Sequence, residues 1–450
     1  MLMVGLSQEY LPRFAHDLGF SDQVTALVVP APMFAAAILQ QFTPWGVRRL
    51  GSHRRWVWMT AALQAASLLP LALLALGSSW WIPLAARWAA SSDRLVSFAG
   101  HWGPTAILFL LVAGFWFGAM AGGAPWLTLV GRMIPSSILP RYFGRRTVLL
   151  QASLLLGLGL TWGATTLGFR ASGTTTWLGL NPLMVAWTGV FFVAMLVRAA
   201  SVWFLSRYSK DDIPLPVPVP VRTLVADIGG SARAGGLRYL LVMQAAMLIA
   251  FPFFNPFMFD VLKVTSADYG LLLGAFFAGK MVAAELAGRA VHRWGLRTSI
   301  LISSAILVPV PILWLISSNW VWLLVVQAWS GAALSAFELC SVVLQVDHVP
   351  ERERTTTLSR FSLAMQTAGL CGSAIGSSLL GASERWGAGA AFAAMFGLSA
   401  SARLLATWLA WRLPPDAEPT QEVFAPQPAG GEGMTVRIEG SPCNQRGFSP

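Results

Sequence analysis

The sequence predicts an all-α membrane protein that crosses the bilayer many times. Hydrophobic residues make up 55% of its 450 residues and charged residues 11%, against about 25% charged residues in an ordinary soluble domain. So few charges cannot cover the surface of a soluble fold of this length, whereas a protein surrounded by lipid needs few. In addition, apolar runs of about 20 residues, long enough to cross a bilayer as a helix, recur along most of the chain.

Eleven candidate spans can be counted among these apolar runs. They cover residues 24–45, 56–78, 104–130, 147–168, 183–205, 237–259, 269–289, 298–317, 320–343, 361–381 and 388–411. Prolines inside several of them would break a soluble helix, but in a membrane bundle neighbouring helices can satisfy the freed backbone groups. Residues 1–21 read as the outer half of a further span followed by an external loop. We therefore expect twelve spans in a full-length protein, with eleven spans as the alternative.

Basic residues are concentrated in alternate loops. One set of loops carries nineteen Arg and Lys residues and the other set carries five. Because basic loops remain in the cytoplasm, we predict a multi-pass protein of the inner (plasma) membrane with its C-terminus in the cytoplasm. This spread of basic residues over many loops also explains the net charge of +11, so nucleic acid is not expected as a partner. The predicted partner is the lipid bilayer in which the helices lie.

Two short basic motifs occur at matching places in the chain. Each follows a span on the arginine-rich side and contains a glycine between basic residues: Arg49, Gly51 and Arg54 in one, and Arg293, Gly295 and Arg297 in the other. A segment with proline, a short basic stretch and a helix also recurs, at 134–150 and 349–365. These repeats indicate that the chain consists of two related halves.

The domain organisation follows from the repeat. We predict an N-terminal transmembrane half at 1–205 (the first half) and a C-terminal transmembrane half at 237–413 (the second half). The proline-alternating, then glycine-rich segment 206–236 is predicted to be a cytoplasmic linker. The polar tail 414–450 is predicted to be disordered.

This organisation resembles the major facilitator superfamily over residues 1–412. The family motif Gly-x-x-x-Asp-Arg-x-Gly-Arg-Arg corresponds to the segment from Gly288 to Arg297, and less closely to the segment from Pro44 to Arg54. The resemblance implies two pseudo-symmetric six-helix halves with a central pocket, which open alternately to the two sides. It also implies that both basic motifs belong to a cytoplasmic gate.

Both copies of the motif lack its acidic residue, because Arg48 and His292 stand in its place. In the family that acid helps to latch the gate by charge pairing, so the resemblance implies a latch that is weakened or built differently here. Glu285, four residues before Arg289 on the same helical face, is a candidate substitute.

Lys280 and Glu338 are ionisable residues at membrane depth. Lys280 lies near the middle of its predicted span, so it is a candidate for binding an anionic group or for pairing with an acid. A silent ion pair or a snorkelling lysine is the alternative. Glu338 is a candidate proton carrier or a partner of Lys280, and a structural pair in the gate region is its alternative.

Three further polar residues are weaker binding candidates. Asn255, between two prolines, is predicted to lie where a helix breaks and exposes backbone carbonyls, or simply to bond within the bundle. Gln8 and Glu9 are candidate pocket residues in a twelve-span protein and part of an exposed terminus otherwise. Arg198 and Arg403, near the cytoplasmic ends of their spans, are expected to snorkel.

The predicted function is secondary active transport of a small solute across the inner membrane, with proton coupling left open. The sequence shows no phosphate-binding loop for direct ATP drive, no catalytic or metal-ligand constellation and no cofactor motif. We therefore predict that the protein is not an enzyme and binds no cofactor. We also predict that it is a monomer. The alternative is a transporter-like scaffold or assembly factor without transport activity. The tryptophan-rich outer segment 79–103 reads equally as an interfacial helix or as a plain loop.

Overall fold

The computed structural model describes residues 1–135, 137–172, 181–207, 214–217, 234–264, 266–349, 351–381 and 387–413, and this part of the chain contains helices and no strand. The helices of the first half are α1 (Leu2–Leu6), α2 (Leu11–Asp17), α3 (Asp22–Leu27), α4 (Pro30–Leu39), α5 (Thr43–Leu50), α6 (His53–Leu76), α7 (Ser78–Ala89), α8 (Arg94–Ala121), α9 (Gly123–Met133), α10 (Leu139–Ser172) and α11 (Pro182–Ser206). Those of the second half are α12 (Ala234–Ala250), α13 (Ser266–Trp294), α14 (Leu296–Leu307), α15 (Val310–Ile316), α16 (Trp320–His348), α17 (Glu351–Gly381) and α18 (Ala388–Trp411).

Ten helical stretches within these residues are long and apolar enough to cross a membrane. The predicted all-α polytopic fold is therefore confirmed. The predicted span 24–45 is not one continuous helix, since it is divided among α3, α4, a 3₁₀ turn at Gln40–Phe42 and α5. Pro30 and Pro44 each lie in the first turn of one of these pieces. Proline is tolerated in the first turn of a helix because its missing N–H has no partner there, but in the interior of a helix it breaks the hydrogen bonding.

The outer segment 79–103 is mostly helical, so it is not a plain loop, and its place at the membrane interface stays a prediction. It contains most of α7, and α8 begins at Arg94, where the Asp93 side chain accepts hydrogen bonds from the first-turn amides of Leu95 and Val96. Trp80 and Trp102 are 74% and 58% exposed. Trp80 lies on α7, outside the candidate spans, whereas Trp102 lies near the start of one of them, and exposed tryptophans at such places are typical of the membrane interface.

Three hydrophobic clusters form the interior. One consists only of first-half residues, between Met3 and Ala194, and a second consists only of second-half residues, between Ile249 and Phe396. The third combines Leu127, Val130, Leu139 and Phe143 of the first half with many second-half residues. Close contact between the two predicted halves is thus established around 127–143.

Parts of the predicted linker and tail lie outside the described residues. These are 208–213 and 218–233 of the linker and the whole tail 414–450. The division into two halves at 206–236 stays a prediction.

Candidate functional site

The two halves meet at the end of the bundle that carries the basic loops, here called the arginine-rich end (residues 48–55, 132–146, 289–297 and 349–360). At its centre, the Thr355 hydroxyl lies 3.0 Å from His53 Nε2 and 3.0 Å from the Thr128 hydroxyl. All three residues are almost fully buried. A second-half hydroxyl therefore joins two first-half helices, α6 and α9, through hydrogen bonds rather than through a charge pair.

Further polar contacts continue this interface, which we call the polar seam. Gln40 donates to the Ser362 hydroxyl at 2.8 Å, and Gln41 donates to the Ser359 carbonyl at 2.9 Å. At its edge Arg132 lies 3.6 Å from Glu351. The seam thus connects the helices of the broken first span with the N-terminal half of α17.

A short piece of the predicted linker is bound across the same end. The Val217 amide donates to the Arg352 carbonyl at 3.1 Å, and the Thr356 hydroxyl donates to the Val217 carbonyl at 2.9 Å. From the first half, Arg48 donates to the Pro216 carbonyl at 3.4 Å. Arg48 occupies the position where the family motif has its acid, and it reaches a backbone carbonyl instead of a cation.

Close helix packing completes the contact between halves. A Cβ on Gly144 would lie 2.7 Å from the Ala284 carbonyl oxygen, and one on Gly288 would lie 2.8 Å from that of Pro140. Both distances are too short for any larger residue, so these glycines allow α10 and α13 to touch. Gly288 belongs to the predicted gate motif, and its position fits that role.

The turns of the two predicted motifs share a glycine with positive φ but differ in ψ, which is 17° at Gly51 and 167° at Gly295. Gly51 and Gly295 each connect two helices at a positive φ, of 64° and 82°, a conformation that glycine adopts without strain. Arg297 donates to the Trp411 carbonyl at 2.8 Å, which ties this turn to α18. The remaining predicted gate residues surround the turns: Arg49 and Arg293 are exposed, and Arg54 lies in the first turn of α6.

Glu285 pairs with Arg289 on its own helix. The carboxylate accepts from the guanidinium at 3.0 Å, and both side chains are substantially exposed. Among the described residues no contact from Glu285 to the first half is recorded. Its role as a substitute latch stays a prediction, and the contacts of the polar seam occupy the place where such a latch is expected.

The second half contains a cavity of about 190 Å³ towards the end opposite the arginine-rich end. Its walls are mainly aromatic and aliphatic, with Tyr269 near the start of α13 and Trp314 near the end of α15. The exposed side chains of Phe251 and Asn255 mark its mouth. We call this space the second-half cavity.

The mouth of the cavity forms where α12 breaks. Beyond Ala250 the chain passes through a 3₁₀ turn, a single α-turn and a π-turn that ends at Val261, so the predicted helix break at Asn255 is confirmed. Asn255 Oδ1 accepts a hydrogen bond from the Tyr269 hydroxyl at 3.4 Å. Glu9 of the first half lies within electrostatic range of Tyr269 but does not line the cavity, and Gln8 is half-buried.

Lys280 and Glu338 form an ion pair just beneath the cavity. Lys280 Nζ lies 3.0 and 2.9 Å from the two carboxylate oxygens of Glu338. Each residue lies four positions beyond a cavity-lining residue on its helix, Phe276 on α13 and Leu334 on α16. That spacing places the pair about 6 Å deeper on the same helical faces.

The two members of this pair differ in exposure. The lysine side chain is 9% exposed and the glutamate side chain 46% exposed. The pairing of Lys280 with a carboxylate fits one of the roles expected for it, and the open side of Glu338 leaves room for a proton or a solute to reach the carboxylate.

Arg403 does not snorkel, contrary to the expectation from sequence. Its residue is 2% exposed, it lines the second-half cavity, and it donates to the Leu307 carbonyl at 2.8 Å. Sequence reasoning also missed Gln327 and Ser330 of the cavity wall and Thr355 of the seam. A hydropathy profile detects none of these, because it does not show which way a side chain points.

Comparisons with known proteins agree with this architecture. Residues 237–437 match the sequence model of the family described as Major Facilitator Superfamily. No curated protein sequence matches the chain significantly.

Three solved structures illustrate the likeness in fold. A bacterial homologue of the iron transporter ferroportin in the outward-facing state has 16% identity and a TM-score of 0.64, over 92% of this chain and 96% of that one. The transporter FucP in the outward conformation has 10% identity and a TM-score of 0.64, over 91% and 95%. The proton:xylose symporter XylE has 14% identity and a TM-score of 0.59, over 92% of each chain.

The helical bundle and these matches define an all-α polytopic fold of the major facilitator type. Residues 237–437 match the major facilitator superfamily by sequence, and more than nine-tenths of the chain shares the fold of these solved transporters. At these identities the solved structures establish the fold and leave the transported compound open.

Proposed function

We propose that this protein is a secondary transporter that moves a small solute across the inner membrane by alternating access, coupled to protons. The observation that carries the proposal is the Lys280–Glu338 ion pair, which lies directly beneath the second-half cavity. This cavity lies on the side of the bundle away from the polar seam. Ionisable groups at membrane depth are costly and typically mark a substrate or proton pathway.

The proposed orientation places the arginine-rich end in the cytoplasm. Basic loops favour that side, and the C-terminus then lies in the cytoplasm as well. In this orientation the described arrangement is closed towards the cytoplasm and faces outward. Two of the similar solved structures were obtained in an outward state, which supports this assignment.

The composition of the polar seam favours a reversible gate. A hydrogen bond within a protein contributes about 0.5–1.5 kcal/mol net, since water replaces it when it opens. The four hydrogen bonds of the seam (His53–Thr355, Thr128–Thr355, Gln40–Ser362 and Gln41–Ser359) therefore contribute about 2–6 kcal/mol to closure, in addition to the apolar contacts that join the halves there.

The ion pair is connected to this gate along one helical face. Lys280, Ala284 and Gly288 are spaced four residues apart on α13, and the last two contact α10 of the first half. Protonation of Glu338 would leave the buried Lys280 without its counter-charge, which disfavours the present packing of α13 against α16. We infer that proton binding at Glu338 is transmitted along α13 to the contact between halves.

Flux through proteoliposomes that contain the purified chain tests this proposal. A panel of small organic acids and sugars is offered under an imposed proton gradient, and uptake is measured with and without an uncoupler. We expect one class of solute to accumulate in an uncoupler-sensitive manner, and Lys280→Ala to abolish the accumulation.

Two variants separate coupling from transport. Glu338→Gln is expected to lose accumulation but to retain solute counterflow, because a neutral side chain mimics the protonated state. Glu285→Gln removes an exposed carboxylate of the same helix and is the matched control, with flux close to wild type. Flux that is indifferent to both Lys280→Ala and Glu338→Gln would contradict the proposed site, and complete absence of flux together with a fixed co-purifying protein would favour the scaffold function.

A further inference from the structure

Arg403 is a buried cation without an acidic partner in the part of the chain that the structure describes. Its recorded side-chain hydrogen bond goes to the Leu307 carbonyl, and its Nε has no hydrogen-bond partner. None of the ion pairs among the described residues involves it. Guanidinium has five N–H donors, so much of its bonding capacity is available.

A buried charge of this kind requires a compensating group. An unpaired ion costs several kcal/mol in a low-dielectric interior, and arginines within membrane spans are rare and typically functional. Lys280, about as well buried, shows the usual solution, because its charge is neutralised by Glu338. Arg403 instead faces an open cavity.

The cavity wall indicates the chemistry that would complete the site. Gln327 and Ser330 of α16, both largely buried, are polar groups on the wall. The remaining surface is dominated by aromatic and aliphatic side chains such as Phe254, Phe276 and Trp314. A ligand with one anionic end and an apolar body matches both parts of this lining.

We propose that the second-half cavity binds an amphiphilic organic carboxylate, whose anionic group pairs with Arg403 while its apolar body packs against the aromatic wall. Guanidinium and carboxylate fit each other in a bidentate geometry. The ligand enters between Phe251 and Asn255, from the end of the bundle opposite the arginine-rich end. As the class of transported solute, this inference rests on the proposed function, but binding alone does not require transport.

Binding to the purified full-length chain in detergent is the direct test. The probes are benzoate, phenylacetate and 3-phenylpropionate, each with its carboxamide, and affinity is measured by scintillation proximity with labelled 3-phenylpropionate. We expect at least one carboxylate to bind and its uncharged amide to bind at least tenfold more weakly, since a charge-assisted hydrogen bond is lost. Failure of every carboxylate to bind the wild-type chain overturns the proposal.

Variants localise the binding. Arg403→Gln is expected to weaken carboxylate binding by about tenfold to a hundredfold, with Arg403→Lys between it and wild type. Arg198→Gln in α11 is the matched control and is expected to bind like wild type, because Arg198 also has a buried Nε without a partner but lines none of the described cavities. Equal affinity in wild type and Arg403→Gln would overturn the assignment.

Ser330→Phe keeps the test decisive if Arg403→Gln does not fold. It fills the cavity while Arg403 keeps its charge, and the expected result is loss of carboxylate binding in a chain that elutes as wild type does in size exclusion. Undiminished binding in this variant would overturn the proposed location. Because no flux is measured, a failure of transport leaves these results intact, and a failure of binding leaves transport of another solute class intact.

Discussion

The two ends of this bundle are held together by different forces. At the arginine-rich end, residues of both halves meet through hydroxyl, amide and imidazole groups, as in the group formed by His53, Thr128 and Thr355, and through the mixed apolar cluster. Towards the opposite end, the aromatic cluster around Phe257 and Phe396 belongs to the second half alone. The cluster around Phe14 and its neighbours belongs to the first half alone.

This difference indicates which contacts can open. Apolar clusters lose about 25 cal/mol per Å² when they are exposed to water, so the cluster within each half remains intact during motion. Polar contacts of the seam exchange their partners for water at a small net cost. The halves are therefore expected to move as rigid bodies that separate at the polar seam, and the mixed apolar cluster beside it must open in the same motion.

A disulfide across the seam is expected to have the largest effect. In Thr128→Cys/Thr355→Cys the two sulfurs replace hydroxyls 3.0 Å apart, which is compatible with a disulfide after small shifts. Oxidation fixes the arginine-rich end in its closed form, so transport should fall to background and recover on reduction. The measurement is flux in a Cys371→Ser/Cys443→Ser background.

Each single cysteine variant is the control for this cross-link and is expected to transport under oxidising conditions. Full transport by the oxidised double variant would mean that this end does not open during the cycle.

Removal of one hydroxyl from the seam is expected to have an intermediate effect. Thr355→Val keeps the shape of the side chain but leaves the Thr128 hydroxyl and His53 Nε2 without this partner, at a cost of about 1–3 kcal/mol in the closed state. Water satisfies both groups when the seam opens, so the open form should gain about fivefold to 150-fold in population. The measurement is the rate at which Gln41→Cys reacts with an impermeant thiol reagent in inside-out vesicles.

The matched control for the seam breaks a similar hydrogen bond within the second half. Tyr239 and Ser304 are joined at 2.6 Å and are both buried. Ser304→Ala should lower the stability to unfolding without changing the labelling rate of Gln41→Cys. If both variants accelerate labelling equally, the effect is general loosening and the distinction between the two ends fails.

The smallest effect is expected from Glu285→Gln. The pair with Arg289 is exposed and lies on one helix, a type of contact that contributes about 0.3–0.5 kcal/mol. Thermal unfolding and the labelling rate should both stay near wild type. A large gain in labelling would mean that Glu285 acts as the latch after all.

The sequence was sufficient for the class of fold but not for the direction of side chains. Apolar length predicted the membrane helices, and the two basic motifs predicted a turn with a glycine at Gly51 and at Gly295. The span 24–45 was predicted as one span because prolines inside it were expected to be tolerated in a membrane bundle, whereas Pro30 and Pro44 each begin a separate helix.

The candidate site shows the same limit. Lys280 and Glu338 were recognised because charges are rare in apolar runs, although their separation along the chain did not establish that they pair. Arg403 was dismissed because its distance from the helix end permits snorkelling, and only its inward direction reveals its burial. Thr355 carries no signal in a single sequence, since a threonine near a basic loop is ordinary.

Spin labels on two pairs of residues test alternating access most directly. One pair, Arg49→Cys with Glu353→Cys, spans the arginine-rich end, and the other, Ser92→Cys with Lys263→Cys, spans the opposite end; all four positions are exposed. Double electron–electron resonance in nanodiscs gives both distances with and without Thr355→Val. The account predicts that the variant lengthens the first distance and shortens the second, whereas two unchanged distances, or two that lengthen together, would contradict it.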